Sequence, residues 1–235
     1  MRSRVADARR KSPRVPRYAS DWLTVESLFS ALSRIAEKSG QGMYLDVGCG
    51  NKPYRSLFPQ ATLYFGVDIT HRNSAADIVA NVEHILPFAA ESFDCVICTQ
   101  VIEHIRSPNL FLAEAHRVLK PEGQLILSAP MYWPHHEEPY DFYRYTLYGL
   151  EYLITNVGFE VQEIIQQGGA WTVVGQSLAL TVDAALHFRT FGIKAVAVAL
   201  LNTIFHWLDQ INYQPRDTTN FAILARKRQS RDKTP

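Results

Sequence analysis

The sequence is poor in cysteine and has no long uninterrupted apolar run, and both shortages narrow the kind of protein it encodes. Three cysteines in 235 residues do not suggest a disulfide framework, which is typical of a chain that folds in a reducing compartment. The apolar stretch at residues 193–211 is interrupted by Asn202, His206 and Asp209 and falls short of the roughly twenty apolar residues that span a bilayer. We therefore predict a soluble, cytoplasmic protein without a transmembrane helix.

Net charge is also small, +1 at pH 7, but it is distributed unevenly. Residues 1–17 hold seven Lys or Arg against one acid, and residues 226–235 hold five against one. Of the 24 cations and 23 acids in the chain, 12 and 21 therefore fall in residues 18–225. An acidic body is a poor platform for phosphates, so we predict no nucleic-acid partner. The ends, residues 1–17 and 227–235, are predicted to be disordered basic tails.

Length and apolar content, 235 residues and 47%, are enough for one substantial core. Short apolar runs alternate with segments of helical periodicity, which is typical of a parallel sheet with crossover helices. The predicted strands are residues 43–47, 62–68, 78–80, 93–99, 124–128, 159–165 and 221–225. The predicted core helices are residues 21–38, 108–119 and 146–158, the second of them stopped by the Pro-Glu-Gly at 121–123.

About fifty residues separate the last two predicted strands, far more than an ordinary connection. Residues 171–188 and 193–211 both have helical periodicity. We therefore predict a helical hairpin, residues 168–216, inserted into a core formed by residues 18–167 and 217–226. The hairpin is rich in apolar side chains that must be covered. Three possibilities stay open: the two helices bury these side chains against each other and the sheet, they form a homodimer interface, or they act as a lid or docking surface for an apolar acceptor or a membrane surface.

A glycine-rich turn follows the first predicted strand, in the sequence Tyr-Leu-Asp-Val-Gly-Cys-Gly at residues 44–50. Gly48 and Gly50 allow a sharp turn and a close approach to a ligand, and a helix predicted to follow would offer free N–H groups. The next strand ends at Asp68, 22 residues after Asp46, near the spacing at which a carboxylate accepts both hydroxyls of a ribose. A plain tight turn and a helix-capping Asp68 are the alternatives.

A dinucleotide-binding fingerprint has a third glycine, which lets the helix pack closely and places the pyrophosphate at its N-terminus. The corresponding residue here is Pro53. This departure argues against a nicotinamide cofactor and favours a nucleoside ligand without a diphosphate. A nucleotide-dependent oxidoreductase is therefore the weaker alternative.

Five ordered motifs resemble the class I S-adenosylmethionine-dependent methyltransferases, in particular the group with an Asp-hydrophobic-Gly-Cys-Gly loop. They are the loop 46–50, Asn81 with the Leu-Pro-Phe at 86–88, the Phe-Asp at 93–94, the Val-Ile-Glu-His-Ile at 101–105 and the Arg-Val-Leu-Lys-Pro-Glu-Gly at 117–123. The resemblance covers about residues 44–165 and the final strand. It implies a Rossmann-like, doubly wound α/β fold whose seven-stranded sheet is mostly parallel with an antiparallel last strand.

The resemblance also implies S-adenosylmethionine as the cofactor and assigns its contacts. The loop from Asp46 to Gly50 would hold the methionine part, Asp68 the ribose, and Asn81 with Val82 the adenine. The implied cofactor residues are Asp46, Gly48, Cys49, Gly50, Asp68, Ile69, Asn81, Val82 and Gln100.

A polar and aromatic segment, residues 133–146, follows the fifth predicted strand, at the edge where open α/β sheets bind ligands. We interpret it as the acceptor site. Methyl transfer from a sulfonium needs alignment and, for a hydroxyl acceptor, a base, and the candidates for that base are His135 and His136. The predicted acceptor contacts are Tyr140, Asp141 and Arg144. The alternative is that these side chains only build a rigid hydrogen-bonded loop.

Glu103 and His104, with His135 or His136, are similar to a set found in related methyltransferases that bind a divalent metal. Those relatives have a further Glu three residues before the Glu-His pair, where this chain has Gln100. Because a neutral amide is a poorer ligand for a hard cation than a carboxylate is, the sequence predicts no metal.

The sequence thus predicts an S-adenosylmethionine-dependent methyltransferase acting on a hydroxyl oxygen of a small molecule, a glycan or a lipid-linked acceptor. A non-catalytic S-adenosylmethionine-binding protein is an alternative besides the oxidoreductase. The acceptor itself stays open, because acceptor contacts come from variable loops on a common fold. Peripheral membrane contact and a homodimer through the hairpin are the predicted possibilities for larger partners.

Overall fold

The computed structural model describes residues 13–70, 75–186 and 191–228. Its strands are β1 Gly42–Val47, β2 Ala61–Asp68, β3 Ile78–Val79, β4 Phe93–Thr99, β5 Leu119–Pro130, β6 Phe159–Gln167 and β7 Asn220–Lys227. They form one seven-stranded sheet in the order β3-β2-β1-β4-β5-β7-β6. The pairs from β3 to β5 are parallel, and β7 is antiparallel to both β5 and β6. The predicted α/β fold, with an antiparallel last strand, is confirmed.

The α-helices of the described residues are α1 Trp22–Ala36, α2 Pro108–Val118, α3 Leu147–Asn156, α4 Ala170–Ala185 and α5 Phe191–Ile211. Two layers of apolar side chains cover the sheet. On one face, Leu32 and Ile35 of α1 pack with Tyr44 of β1. On the other, Phe111 of α2 and Leu150 of α3 join the larger cluster. The sheet is therefore buried on both faces, as its near-continuous apolar strands predict.

The segment between β1 and β2 corrects one expectation. The glycine turn is not followed by an α-helix: within residues 48–60, all of them described, only Arg55–Leu57 form a turn of 3₁₀-helix. Lys52 has a φ of 52°, outside the right-handed helical region, and Pro53 has no N–H to donate. This turn therefore has no helix N-terminus for a pyrophosphate, which further disfavours a dinucleotide ligand.

The connection from α2 to β5 is also shorter than predicted. α2 ends at Val118, and Leu119 already has extended backbone angles, φ −74° and ψ 137°. Leu119 pairs with Phe93 of β4 and is fully buried. The predicted helix end at residue 119 is one residue from the observed one, whereas the predicted strand start at residue 124 is wrong, because pairing and burial extend β5 back to Leu119.

The basic ends include residues that the fold holds in place. The guanidinium of Arg17 stacks over the ring of Trp22, 4.5 Å from its centroid. Lys227 belongs to β7, and its Nζ donates to a backbone carbonyl of β5 at 2.7 Å. These two cations, predicted to lie in disordered tails, are instead partnered within the domain. Residues 1–12 and 229–235 lie outside the described part of the chain.

α4 and α5 form the predicted helical hairpin between β6 and β7, and residues 187–190 between them lie outside the described residues. Polar side chains of α5 anchor the hairpin. The Asp209 carboxylate accepts the N–H of Gly169, just before α4, at 3.0 and 3.1 Å. Asn202 donates to two backbone carbonyls ahead of α1 at 2.6 and 2.9 Å. The polar residues that interrupt the apolar run of α5 therefore attach the hairpin to the core.

One face of the hairpin is not covered by the rest of the described chain. Its apolar side chains on α5 are between 49% and 60% exposed, and they are Ile193, Val196, Leu200, Ile204, Trp207 and Ile211. Packing against the domain therefore buries only the opposite side of α5. Among the described residues, none of the helices has both the length and the apolar character that crossing a bilayer requires.

Candidate active site

The glycine turn after β1 contacts both neighbouring strand ends. Gly48 and Gly50 have positive φ angles of 67° and 48°, which residues with a side chain rarely adopt. A Cβ on Gly48 would overlap the side chain of Val101, so the turn lies directly against the segment that follows β4. The N–H of Gly50 donates to Oδ2 of Asp68 at 2.9 Å. The structure therefore brings the predicted cofactor residues of β1 and β2 together.

Asp46 is a buried carboxyl at the end of β1. It is 4% exposed and accepts the hydroxyl of Tyr64 at 2.7 Å. Burial raises the pKa of Asp46 to about 7, against the lowering effects of the Tyr64 hydrogen bond and of Lys52. A nearby positive charge would therefore ionise it at neutral pH. Cys49 is also buried, and burial raises the pKa of its thiol, so the thiol stays protonated.

The residues predicted to contact the adenine lie after β2 and β3. Ile69 is 68% exposed, whereas Val82 packs partly buried against the core. The side-chain oxygen of Asn81 accepts the N–H of Glu83 at 2.9 Å. That oxygen therefore closes the turn after β3, and the adenine contacts stay predictions.

Gln100 follows β4 with a φ of 55°. Its side-chain nitrogen donates to Oγ of Ser128 and to Oδ1 of Asn220, both at 3.0 Å. The Gln100 amide therefore links the carboxyl end of β5 to the start of β7.

The loop after β5 separates the two candidate bases. The side chain of His135 is 86% exposed, and that of His136 is 5% exposed, because neighbouring side chains in an extended segment diverge. Asp141 orients His136: its Oδ2 accepts the backbone N–H of His136 at 3.0 Å and lies 3.4 Å from the ring Nδ1. His136 is therefore the inward-facing candidate.

The predicted acceptor contacts have different surroundings. Asp141 accepts two hydrogen bonds from the Arg144 guanidinium, at 2.7 and 2.8 Å. Although burial raises the pKa of Asp141, these bonds hold it below its usual range. The pair thus stiffens the loop, as the alternative interpretation expected. Tyr140 is 55% exposed, and its carbonyl accepts Nδ1–H of His104 at 2.7 Å.

Glu103, His104 and His136 converge on one point, although they come from two segments. The first two lie in the 3₁₀ turn Ile102–His104 after β4, and the third in the loop after β5. One ligand atom from each lies within 4.8 Å of the others. Burial raises the pKa of Glu103 to about 8 and lowers the pKa of both imidazoles. Glu103 and His104 were not among the predicted catalytic residues, although the Glu-His motif contains them.

Residues 45–127 match the family described as the methyltransferase domain. This matched segment, about a third of the chain, is therefore similar to methyltransferase domains. The fold of the chain is that of solved structures described as S-adenosylmethionine-dependent methyltransferases, as the resemblance implied. The narrower assignment to the Asp-hydrophobic-Gly-Cys-Gly group stays a prediction.

Two curated relatives show how far this likeness extends. The thiol S-methyltransferase TMT1B of Mus musculus is 31% identical over 127 residues, which cover 48% of this chain and 50% of the relative. The ubiquinone biosynthesis O-methyltransferase of Xanthomonas oryzae pv. oryzae is 30% identical over 102 residues, 36% of this chain and 41% of the relative. The chain therefore spans half or less of the length of these relatives. Their names specify different acceptor atoms, so the shared domain does not identify the acceptor.

A similar solved structure is the crystal structure of the [4+2]-cyclase SpnF. Its TM-score is 0.62 at 18% identity, covering 91% of this chain and 85% of that one. At this identity the likeness concerns the fold alone. Since a cyclase has this fold, methyl transfer has to be argued from the site.

Proposed function

We propose that the protein is an S-adenosylmethionine-dependent methyltransferase that methylates a hydroxyl oxygen of a small molecule, a glycan or a lipid-linked acceptor. One observation carries the proposal. Gly48 of the cofactor turn abuts Val101, two residues before the buried Glu103. The turn that would hold the methionine part of the cofactor therefore lies beside the cluster best suited to activate an acceptor.

The chain's own residues would align the acceptor and take up its proton. When bound, S-adenosylmethionine supplies an electrophilic methyl group and leaves as S-adenosylhomocysteine. In the proposed reaction the acceptor oxygen loses its proton and forms the new bond to carbon. His136 is neutral at physiological pH because burial lowers its pKa, so its Nε2 can accept that proton and pass it to water. Asp141 holds the ring on its Nδ1 side.

The direct test is incubation with S-adenosylmethionine labelled in the methyl group and with fractions of small metabolites, glycans and lipids. We expect label in a product from one fraction, together with S-adenosylhomocysteine. Binding of S-adenosylmethionine without label transfer in any fraction would favour the non-catalytic alternative. A rise in melting temperature with NAD(H) instead of S-adenosylmethionine would favour the oxidoreductase.

The affinity for S-adenosylmethionine should depend on pH through Asp46. The pKa of this carboxyl is about 7, and the cofactor's ammonium and sulfonium favour its ionised form. Below that pH the Asp46 carboxyl is mostly protonated in the free protein. It must lose this proton before it can attract the positive charges of the cofactor, so the affinity for the cofactor falls as the pH falls. We expect the Kd to rise by up to about tenfold from about pH 8 to about pH 6.

Isothermal titration across this range measures the effect, and Asp46→Asn is the matched control. The variant should bind more weakly at about pH 8 and lose most of the pH dependence. An unchanged slope in Asp46→Asn would place the titrating group elsewhere.

We further propose that the exposed face of α5 docks on an anionic membrane surface. One cationic side chain contacts α5, and another lies in the segment that follows the helix, where it pairs with Asp217 at 3.8 Å. Arg17 reaches Oγ1 of Thr203 on α5 at 3.4 Å, and Arg216, shortly after α5, is 93% exposed in its side chain. An apolar face with cationic side chains beside it suits anionic lipid.

The segment between α5 and β7 contacts the residues just before the predicted acceptor site, residues 133–146, which is called the acceptor loop below. The N–H groups of Met131 and Tyr132, which follow β5, both donate to the carbonyl of Thr219 in the segment that follows α5, at 3.0 and 3.1 Å. The segment that connects α5 to β7 is thus hydrogen-bonded to the residues that lead into the acceptor loop, and we propose that docking through α5 brings this loop near a lipid-linked acceptor.

Flotation with vesicles tests this docking. We expect the protein to float with phosphatidylserine-containing vesicles and not with phosphatidylcholine vesicles, and to be released by high salt. Leu200→Asp on the face should abolish flotation, whereas Tyr148→Asp, at an exposed position on α3, should not. A dimer in solution that Leu200→Asp dissociates, with no vesicle binding, would overturn the membrane proposal in favour of a second copy.

A further inference from the structure

The carboxylate of Glu103 is buried without a hydrogen-bond partner. The residue is fully buried, and neither side-chain oxygen has a partner among the described residues. An ionised carboxyl buried in this way loses its hydration without any compensating hydrogen bond, which is unfavourable. Native structures rarely leave such a group unused, so its surroundings indicate what it binds.

Two imidazoles face this carboxylate at a distance that is not that of a hydrogen bond. Nε2 of His104 lies 3.8 Å and Nε2 of His136 lies 3.9 Å from Oε1 of Glu103. Direct hydrogen bonds are no longer than about 3.2 Å. Two ligands of one metal ion, bound at about 2.0–2.2 Å each, can be as far as about 4.4 Å apart. The spacing therefore suits an ion lying between the three side chains.

In both imidazole rings, Nδ1 lies near a hydrogen-bond acceptor, and this orients the ring so that Nε2 is available to bind a metal ion. Nδ1 of His104 lies 2.7 Å from the carbonyl of Tyr140. Nδ1 of His136 lies 3.3 Å from the carbonyl of Pro134 and 3.4 Å from the Asp141 carboxylate. An acceptor at Nδ1 keeps the proton there and leaves the lone pair on Nε2, which faces Glu103. Outer oxygens of this kind orient the histidines of metal sites.

Gln100, which stands where the metal-binding relatives have a further Glu, is not required as a ligand in this structure. The Gln100 amide nitrogen is bonded to Ser128 and Asn220, while two histidines and Glu103 supply a ligand set without it. Two imidazoles and one carboxylate suit zinc, iron and other divalent transition metals better than magnesium or calcium.

We propose that Glu103, His104 and His136 bind one divalent transition-metal ion. Three protein ligands leave coordination positions open to other oxygen ligands. In combination with the proposed function, on which this part rests, an acceptor hydroxyl would occupy one of them. Such coordination lowers the pKa of the hydroxyl, so that its proton passes to water and His136 serves as a ligand instead of a base.

Titration of the chelator-treated, dialysed full chain with Zn²⁺ tests the site, and Co²⁺ adds a visible absorption spectrum as a second readout. We expect one ion per chain. Glu103→Gln and His136→Gln should each weaken binding by at least about 100-fold, since loss of a ligand exceeds the 10–100-fold cost of losing an outer partner. The control is His135→Gln, which removes an adjacent, exposed imidazole and should leave the affinity unchanged.

The melting temperature separates a lost site from a lost fold. Zn²⁺ should raise the melting temperature of the parent and of His135→Gln, but not that of Glu103→Gln. Absence of one-to-one binding, or equal affinity in the parent and Glu103→Gln, overturns the metal site and leaves the cofactor proposal standing. Failure of the parent to bind S-adenosylmethionine would instead refute the proposed function and leave the ion titration unaffected.

Discussion

Replacing His136 with Gln is expected to lower turnover on a hydroxyl acceptor by at least about 100-fold, whereas His135→Gln changes it by less than about threefold. The reason is burial: the His136 side chain is 5% exposed and faces Glu103, and that of His135 is 86% exposed. The expectation holds whether His136 takes the proton directly or holds an ion that acidifies the hydroxyl.

Steady-state kinetics of both variants measure this difference, with the affinity for S-adenosylmethionine as the control, because neither histidine lies in the glycine turn. If turnover fell only slightly and equally in both variants, neither histidine of the loop after β5 would take part in catalysis. Chelation separates the two roles of His136. Turnover that survives chelation in the parent indicates a base, and turnover that is lost and restored by Zn²⁺ or Mn²⁺ indicates a ligand.

Asp68→Ala is expected to weaken S-adenosylmethionine binding by at least about 100-fold. Two ribose hydroxyls would lose a charged acceptor, and hydrogen bonds to charged groups are worth roughly 1.5 to 3 kcal/mol each. The structure adds a second cause, because Asp68 also accepts the N–H of Gly50, and its loss would loosen the glycine turn.

Asp68→Asn distinguishes the two causes. The amide oxygen can still accept the Gly50 N–H, so this variant should keep the turn and lose only the charge. We expect calorimetric affinities in the order parent, Asn, Ala, with melting temperatures of the unliganded proteins within a few degrees of each other. Parent-like binding by Asp68→Ala would show that the ribose lies elsewhere.

The sequence was sufficient for the sheet and the cofactor turn, because both depend on short-range patterns. Apolar runs alternating with helical periodicity determine a parallel sheet. The backbone of Gly48 and Gly50 needs the positive φ angles that glycine permits. The hairpin was predictable too, since fifty residues without a strand exceed any ordinary connection. Where local signals conflicted, at Lys52 and Pro53, the expected helix does not form.

Which polar side chains meet was decided only by the tertiary structure. In sequence, His135 and His136 are equivalent, and Glu103 lies more than thirty residues away. Their difference arises when the loop after β5 folds over the end of β4 and buries His136 against Glu103. The exposure of the apolar face of α5 likewise cannot be predicted from periodicity. A helical apolar stripe indicates which face is apolar, but it does not indicate what that face packs against. Spacing along the chain determines local conformation, whereas burial depends on segments that only the folded sheet brings together.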